Sequence, residues 1–361
     1  MFSLLVFLFI LGILIVVHEL GHFSVAKRLG VRVEKFSLGF GPRVISKKVG
    51  DTEYDIRLIP LGGYVKLSGD NLEEYKGGGD EYLTKTPFQR ALIIFFGPVF
   101  NYILGFLCFW LIFFSGYPTL TAKVGGLIDG LGAKDAGIQV GDKITAIDGE
   151  KVVFWEDIQK VIHSQKNKEA VTLSVLRQEK KYNIEVKLQK RQFDNPLGEK
   201  RKIALLGITP FIDEIVKVRH GAWESFVLSC DKVSEMTVMT YKALFRMATG
   251  RMSMRESVTG PLGIFYITSK AASIGLIAVL HLIAVLSVSL GLFNLLPLPL
   301  LDGGHIFLLA LEKIRGRALS AKSEQHITQV GLAMIIALAV VVTYNDLLRF
   351  FGDRIAGFFK R

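Results

Sequence analysis

The chain has 361 residues, of which 50% are apolar and only 21% charged, with 26 phenylalanines; this balance is far from that of soluble domains and indicates a membrane protein. Two cysteines, Cys108 and Cys230, exclude a disulfide framework. The formal net charge of +11 implies no nucleic-acid partner, because much of the Lys and Arg flanks apolar runs, where it sets membrane topology.

Four runs are apolar enough to span a bilayer, which takes roughly 20 helical residues: Phe2 to Ala26, Ala91 to Phe114, Leu276 to Leu300 and the shorter Ile327 to Tyr344. The first could be taken for a signal peptide, with Ser24-Val25-Ala26 as a small-x-small cleavage site. Such a peptide carries its positive charge ahead of the apolar stretch, whereas here Lys27, Arg28, Arg32 and Lys35 follow it. That order places the N-terminus outside and residues 27–90 on the cytoplasmic side. The loop rich in Lys313, Arg315, Arg317 and Lys322 falls on the same side, so the long stretch between the second and third runs lies outside.

The first run, residues 1–26, contains His18-Glu19-Leu20-Gly21-His22. On a helix, residues four apart share a face, so both imidazoles point the same way with Glu19 close beside them. Two neutral imidazoles so placed can hold a zinc ion, with the glutamate free to accept a proton from water. Ionisable groups in a span cost several kcal/mol and are usually kept for a function. At 1.5 Å per residue, His18 lies roughly 24 Å along from Phe2, inside the lipid but towards the cytoplasmic face.

Residues 27–90 follow. In "TEYDIRL" the apolar Tyr54, Ile56 and Leu58 alternate with charged neighbours, and Gly pairs mark turns, which predicts a small membrane-associated β-sheet on the cytoplasmic side. Residues 91–117 form the second span, carrying Asn101 in "FFGPVFN", a polar group suited to broken backbone, substrate contact or packing.

Residues 118–212 read as short strands and turns around one helical piece, "WEDIQKVIHS". Period-two alternation of Val171, Leu173 and Val175, and of Ile184, Val186 and Leu188, predicts a half-buried hairpin. The order of "DAGIQVGDKITAIDGEKV", a helix and a hairpin resembles a PDZ domain of the bacterial protease kind, a fold that accepts an extended peptide at a sheet edge. In residues 213–275 the spacing of Trp223, Phe226, Val227, Val233, Val238, Tyr241, Leu244 and Phe245 predicts amphipathic extracytoplasmic helices.

The third span, residues 276–300, carries Asn294 and ends in "NLLPLPLLDGGH". Two prolines break the helix, and irregular backbone at membrane depth must be surrounded by protein or a water-filled cavity. Asp302 in that segment meets the cytoplasmic end of the first span and completes a His18-His22-Asp302 zinc site. Glu34 and Glu53 are rival third ligands of a soluble type, and His305 a nearer rival read as lying behind the ligands or in a loop. Residues 301–326 are read as the LDGGH segment and a cytoplasmic loop, 327–346 as the fourth span. Residues 347–361 read as an amphipathic tail in the interface, anchored by Arg349, Arg354 and Lys360.

HELGH in the first span, GPVFN in the second and NLLPLPLLDGG after the third, with a PDZ-like insertion between them, resemble the site-2 protease family of intramembrane zinc metalloproteases, in the bacterial form typified by the regulator of sigma-E protease. The resemblance covers essentially the whole chain. It implies a membrane α-helical fold of four transmembrane helices with a membrane-associated β-element and an inserted PDZ domain. It also implies zinc held by His18, His22 and Asp302, with Glu19 as the catalytic residue. The implied partners are single-span membrane proteins, of the anti-sigma-factor kind or signal-peptide remnants, with the lipid bilayer and a peptide for the PDZ domain. The implied location is the bacterial cytoplasmic membrane, with the PDZ domain outside. The chain has room for one PDZ domain where enterobacterial relatives have two. Gly39, Phe40 and Gly41 are expected in a platform that holds substrate extended, and Asn294 at the substrate. A metal-ion transporter would need a polar route through the second and fourth spans, which offer little, and an inactive PDZ-bearing scaffold would lack Glu19 or a ligand.

Overall fold

The computed structural model describes residues 2–71, 73–165, 168–194, 200–253, 258–317 and 320–359, without side chains at 60, 61, 193, 194, 200, 201, 321, 324 and 350–359. In chain order the first elements are α1 (Phe2–Arg28), β1 (Val33–Val49), β2 (Thr52–Leu67), α2 (Pro87–Ser115), β3 (Tyr117–Leu120), β4 (Val124–Leu127), α3 (Gly132–Asp135), β5 (Lys143–Ile147), β6 (Glu150–Lys151) and α4 (Trp155–Ser164). There follow β7 (Ala170–Arg177), β8 (Lys180–Lys187), β9 (Gln189–Asp194), β10 (Lys200–Leu205), β11 (Ile208–Pro210), β12 (Ile215–Val218), α5 (Ala222–Ala248), α6 (Pro261–Ile274), α7 (Leu276–Asn294), α8 (Asp302–Arg315) and α9 (Ala321–Phe359). They form two compact units, one of Met1–Ile112, Trp223–Tyr241 and Ser253–Arg361, the other of Phe113–Ala222 and Lys242–Met252.

The first unit holds the apolar helices. Four stretches are long and apolar enough to cross a membrane: Phe2–Arg28, Pro87–Ser115, Leu276–Asn294 and Gln325–Arg349. The shortest has 19 residues, about 28 Å at the helical rise, close to the thickness of the hydrocarbon core. A capping box fixes the start of α2: the Thr86 hydroxyl accepts the Gln89 N–H at 3.3 Å while the Gln89 side chain accepts the Thr86 N–H at 3.1 Å. Helix α6 begins at Gly260, which has no side chain to cap it. Asp346 of α9 does so instead, accepting the Gly260 N–H at 3.1 Å and the Gly263 N–H at 2.9 Å. A Phe7–Phe265 edge contact at 5.5 Å and a Ser269–Ser3 hydrogen bond at 2.9 Å hold α6 on α1.

In β1 and β2 each chain segment bends and is used twice. Residues 43–49 pair with 52–57, residues 53–56 also pair with 35–38, and 33–38 pair with 63–67. This leaves 63–67 as an outer strand. The alternation through "TEYDIRL" is present, with the apolar side chains outward: Tyr54, Ile56 and Leu58 are exposed while Asp55 is 2% exposed. Arg57 at 3.1 Å and Arg43 at 3.5 Å pair with the Asp55 carboxylate. Burial alone would raise its pKa, and hydrogen bonds from Ser46 and Arg57 with the charge of both arginines overcome that and hold it below the usual carboxylate range. An apolar outer face over a charged interior is the arrangement that suits contact with lipid.

The C-terminal third differs from the sequence reading in two places. Residues 302–315 are helical, where a loop was expected. Pro297 and Pro299 end one helix, but Asp302 lies in the first turn of the next, Lys313 and Arg315 in its last turn, and Gly316 follows in the left-handed conformation at φ 69°. All three are helix-terminus signals. Helix α9 then runs unbroken through the expected boundary at 346, no proline occurring after Pro299. Arg354 and Lys360, read as anchors, lie outside the described side chains.

The second unit is β-rich. A four-stranded sheet in the order β6-β5-β7-β8 is flanked by the pairs β9–β10, β4–β11 and β3–β12. Val171, Leu173, Val175 and Val186 of the hairpin are at most 2% exposed and pack with Ile144, Ile147, Ile158 and Val161. Gln178 and Glu179 both have positive φ, as a two-residue hairpin turn requires. Strand β12 pairs Ile215–Val218 with Tyr117–Leu120, so the strand that closes this unit lies beyond residue 212, where the sequence suggested helices alone. In this sheet region Arg177 grips the 1%-exposed Asp142 with two hydrogen bonds of 2.7 Å.

Candidate active site

The helical register of α1 does what the spacing requires: His18 and His22 stack one turn apart with their Nε2 atoms 3.2 Å from each other. Asp302, in the first turn of α8, reaches the same point, with Oδ2 3.1 Å from His18 Nε2 and Oδ1 3.7 Å from His22 Nε2. The three side chains are only 11–17% exposed.

Two ring nitrogens and a carboxylate converge here, and a cation among them would offset the mutual repulsion of their lone pairs. The tautomers point the same way. His22 Nδ1 lies 3.0 Å from the Ile93 carbonyl, so Nδ1 carries the proton and Nε2 presents its lone pair. Asp302 Oδ2 is buried with no hydrogen-bond partner. Tetrahedral zinc with ligands at 2.0–2.1 Å separates its donor atoms by about 3.3 Å, close to the 3.2 Å between the two Nε2 atoms and the 3.1 Å from His18 Nε2 to Asp302 Oδ2. Among the described residues, this is the one group of three such side chains whose donor atoms lie within 4.8 Å of one another.

Asn101 completes the support. Its amide lies 3.1 Å from His18 Nδ1, and its Oδ1 is buried without a partner. With its amide turned so that Oδ1 faces the ring, Asn101 accepts the His18 Nδ1 proton. Ser287 of α7 donates to the Asn101 carbonyl at 2.7 Å, fixing α2 on α7 at this level. Asn294 also reaches the centre, its Nδ2 3.5 Å from His18 Nε2. The close approach of α1 and α2 rests on Gly21 and Gly97: a Cβ on Gly21 would lie 2.1 Å from the Phe96 carbonyl oxygen, and one on Gly97 2.4 Å from His22 Nε2.

Glu19 sits against the sheet. A Cβ on Gly63 would come within 3.4 Å of Glu19 Cγ, and the Val65 N–H faces its carboxylate. The outer strand 63–67 is therefore the part of the sheet beside Glu19. Gly39, Phe40 and Gly41 lie at the bend of β1, with φ of 90° and 83° at the two glycines, and the Phe40 ring packs over Gly62. The rival ligands are elsewhere: Glu53 pairs with Arg43 at 2.7 Å and Lys35 at 3.4 Å, Glu34 is in β1, and His305 is exposed on α8. Sequence reasoning left Asn101 open among three roles and did not name Ile93, whose carbonyl acts as a backbone group that carries no side-chain signal. It also did not name Gly63; the Gly62-Gly63 pair was read only as a turn.

The profile of peptidase family M50 matches residues 6–338. "Putative zinc metalloprotease FN1322" of Fusobacterium nucleatum is 34% identical over 97% of this chain and 100% of its own length. A protein of the same description from Clostridium acetobutylicum is 34% identical over 96% of this chain and 98% of its own. The PDZ domain of an SdrC-like protein from Listeria innocua is similar at 25% identity, covering 25% of this chain and 92% of that one with a TM-score of 0.20. A family match over nearly the whole length, full-length relatives and a His-His-Asp cluster at the helix ends together lead to one conclusion: the chain belongs to peptidase family M50 and is a multi-pass membrane zinc metalloprotease.

Proposed function

We propose that the chain hydrolyses peptide bonds within transmembrane segments of single-span membrane proteins, with His18, His22 and Asp302 as the zinc ligands and Glu19 as the catalytic residue. The observation that carries this reading is the convergence of the two imidazoles and the carboxylate on one point flanked by apolar helices. Held by His18, His22 and Asp302, a zinc ion would lower the pKa of water and polarise the scissile carbonyl. Glu19, one residue from His18, takes the proton from the attacking water and returns it to the leaving amine. Asn294, 3.5 Å from His18 Nε2, donates to the substrate carbonyl. Asn101 and the Ile93 carbonyl keep the protons on the Nδ1 atoms.

A helical substrate has its carbonyls tied up in i to i−4 bonds, so it must be drawn out before attack. The outer strand 63–67 beside Glu19 pairs on one side only, so an extended segment can add at its other edge, and Gly39, Phe40 and Gly41 shape the bend that supports it. The charge order around α1 puts this sheet and the catalytic end on the cytoplasmic side of a bacterial inner membrane and the PDZ-like unit outside. That unit presents a peptide site to proteins there. The substrate class is the stub left when an outer domain has been removed, as with anti-sigma factors or signal-peptide remnants.

Glu19→Gln retains zinc and loses cleavage of a membrane-spanning reporter by on the order of 10²–10⁴-fold, while Asp302→Ala loses zinc. Cleavage at the normal rate by purified Glu19→Gln, or full zinc occupancy in Asp302→Ala, refutes the assignment.

A further inference from the structure

Helix α8 delivers Asp302 but has little of its own to hold it in place. It follows an irregular segment that includes Leu300 at φ 73°. Its buried residues are Gly303, Gly304 and Leu309. The glycines lie directly on the carbonyls of Leu295 and Leu298, where an added Cβ would come within 2.3 and 2.1 Å, so they seat α8 on its own leading segment and not on the helix that carries the imidazoles' supports.

One charged pair makes that connection. Arg90 of α2 donates to Glu312 of α8, with side chains 10% and 19% exposed. Arg90 lies one turn inside the capped start of α2 and three residues before Ile93, whose carbonyl orients His22. Glu312 lies ten residues beyond Asp302 on one rigid helix, about 15 Å along its axis. A buried ion pair is weak evidence for stability, since well-packed apolar residues often do as well, and its best-attested use is to fix register. A guanidinium and carboxylate suit that use because their geometry is directional.

We infer that Arg90 and Glu312 are positioning residues that set the register of α8 against α2 and so hold the Asp302 carboxylate at the two imidazoles. The inference rests on the metal-site reading above. Neither residue touches the reacting atoms; the pair acts through Asp302.

The test is zinc affinity of the full-length protein in detergent, measured by competition with a chelator, together with the visible spectrum of the cobalt-substituted protein. Arg90→Ala and Glu312→Ala weaken zinc binding by on the order of 10–100-fold, the range seen when groups supporting metal ligands are removed, and shift the cobalt bands. Arg90→Lys keeps part of the affinity. The exchanged pair, Arg90→Glu with Glu312→Arg, recovers most of it, which a merely damaged fold would not do. Unchanged affinity and cobalt spectrum in both single variants, with zinc lost from His18→Ala, overturns this inference and leaves the metal site standing. Failure of the exchanged pair to recover affinity overturns the pairwise role. Retention of zinc by His18→Ala overturns the metal-site reading and this inference with it.

Discussion

Gly97→Ala is a one-methyl change that tests the centre without replacing a ligand. The new Cβ would stand 2.4 Å from both Cε1 and Nε2 of His22 and 3.0 Å from Cε1 of His18. Carbon atoms settle at about 3.5–4.0 Å, so the His22 ring must retreat by about 1.1–1.6 Å. The retreat is sterically easy, because the imidazole is the far end of a side chain, and the helices need not part. A metal tolerates only about 0.2 Å in its ligand distances. Loss of one well-placed ligand should therefore lower zinc affinity by about two orders of magnitude, or about 2.7 kcal/mol. The assay is zinc content after dialysis against a graded chelator series, with the melting temperature of the metal-stripped protein as the control for folding. Expected is an unchanged melting temperature with zinc lost at far lower chelator concentration than in the parent. Zinc held as tightly as in the parent would mean that the His22 ring does not bind metal where it now stands.

Two further outcomes follow from the same geometry and from the β-rich unit. Asn101→Ala leaves His18 Nδ1 without its neighbour at 3.1 Å and weakens zinc binding by roughly 10–100-fold, read by the same competition, whereas Asn101→Asp, which keeps an acceptor, retains it. Burial by itself would raise the pKa of Asp142, but the Arg177 hydrogen bonds, the Gln139 N–H and the Arg177 charge overcome it and hold the carboxyl below its ordinary 3.8. The unfolded chain then takes up this proton first as pH falls, so the stabilisation is complete above about pH 5 and drains away below 3.8. Thermal unfolding of the β-rich unit followed from pH 7 to pH 3 should show that loss, and Arg177→Leu should remove the part of it due to this carboxylate.

The parts of this molecule governed by local pattern were readable in the chain. Twenty or so apolar residues can do little but form a span, and the alternation through Val171, Leu173 and Val175 marks a strand buried on one face. The parts governed by distant partners were not. The period through "TEYDIRL" showed a strand, but which face turns inward depends on Asp55 being gathered by Arg43 from the neighbouring segment and by Arg57 of its own. At the centre, His18, Glu19 and His22 stood out through spacing, and Asp302 through a carboxylate beside broken backbone. Asn101 did not, because nothing local to "FFGPVFN" tells that its neighbour is His18, 83 positions earlier. Helix α8 was missed for a different reason: the prolines and glycines of "LPLPLLDGG" signal a break strongly enough to hide the helix start inside it.

The placement of the proposed metal ligands far apart in the sequence has a consequence for synthesis. A ribosome must add 280 residues after His22 to reach Asp302, and Glu312 comes later still. Until then the nascent enzyme has only its paired histidines, so it is unarmed while other newly inserted helices lie beside it.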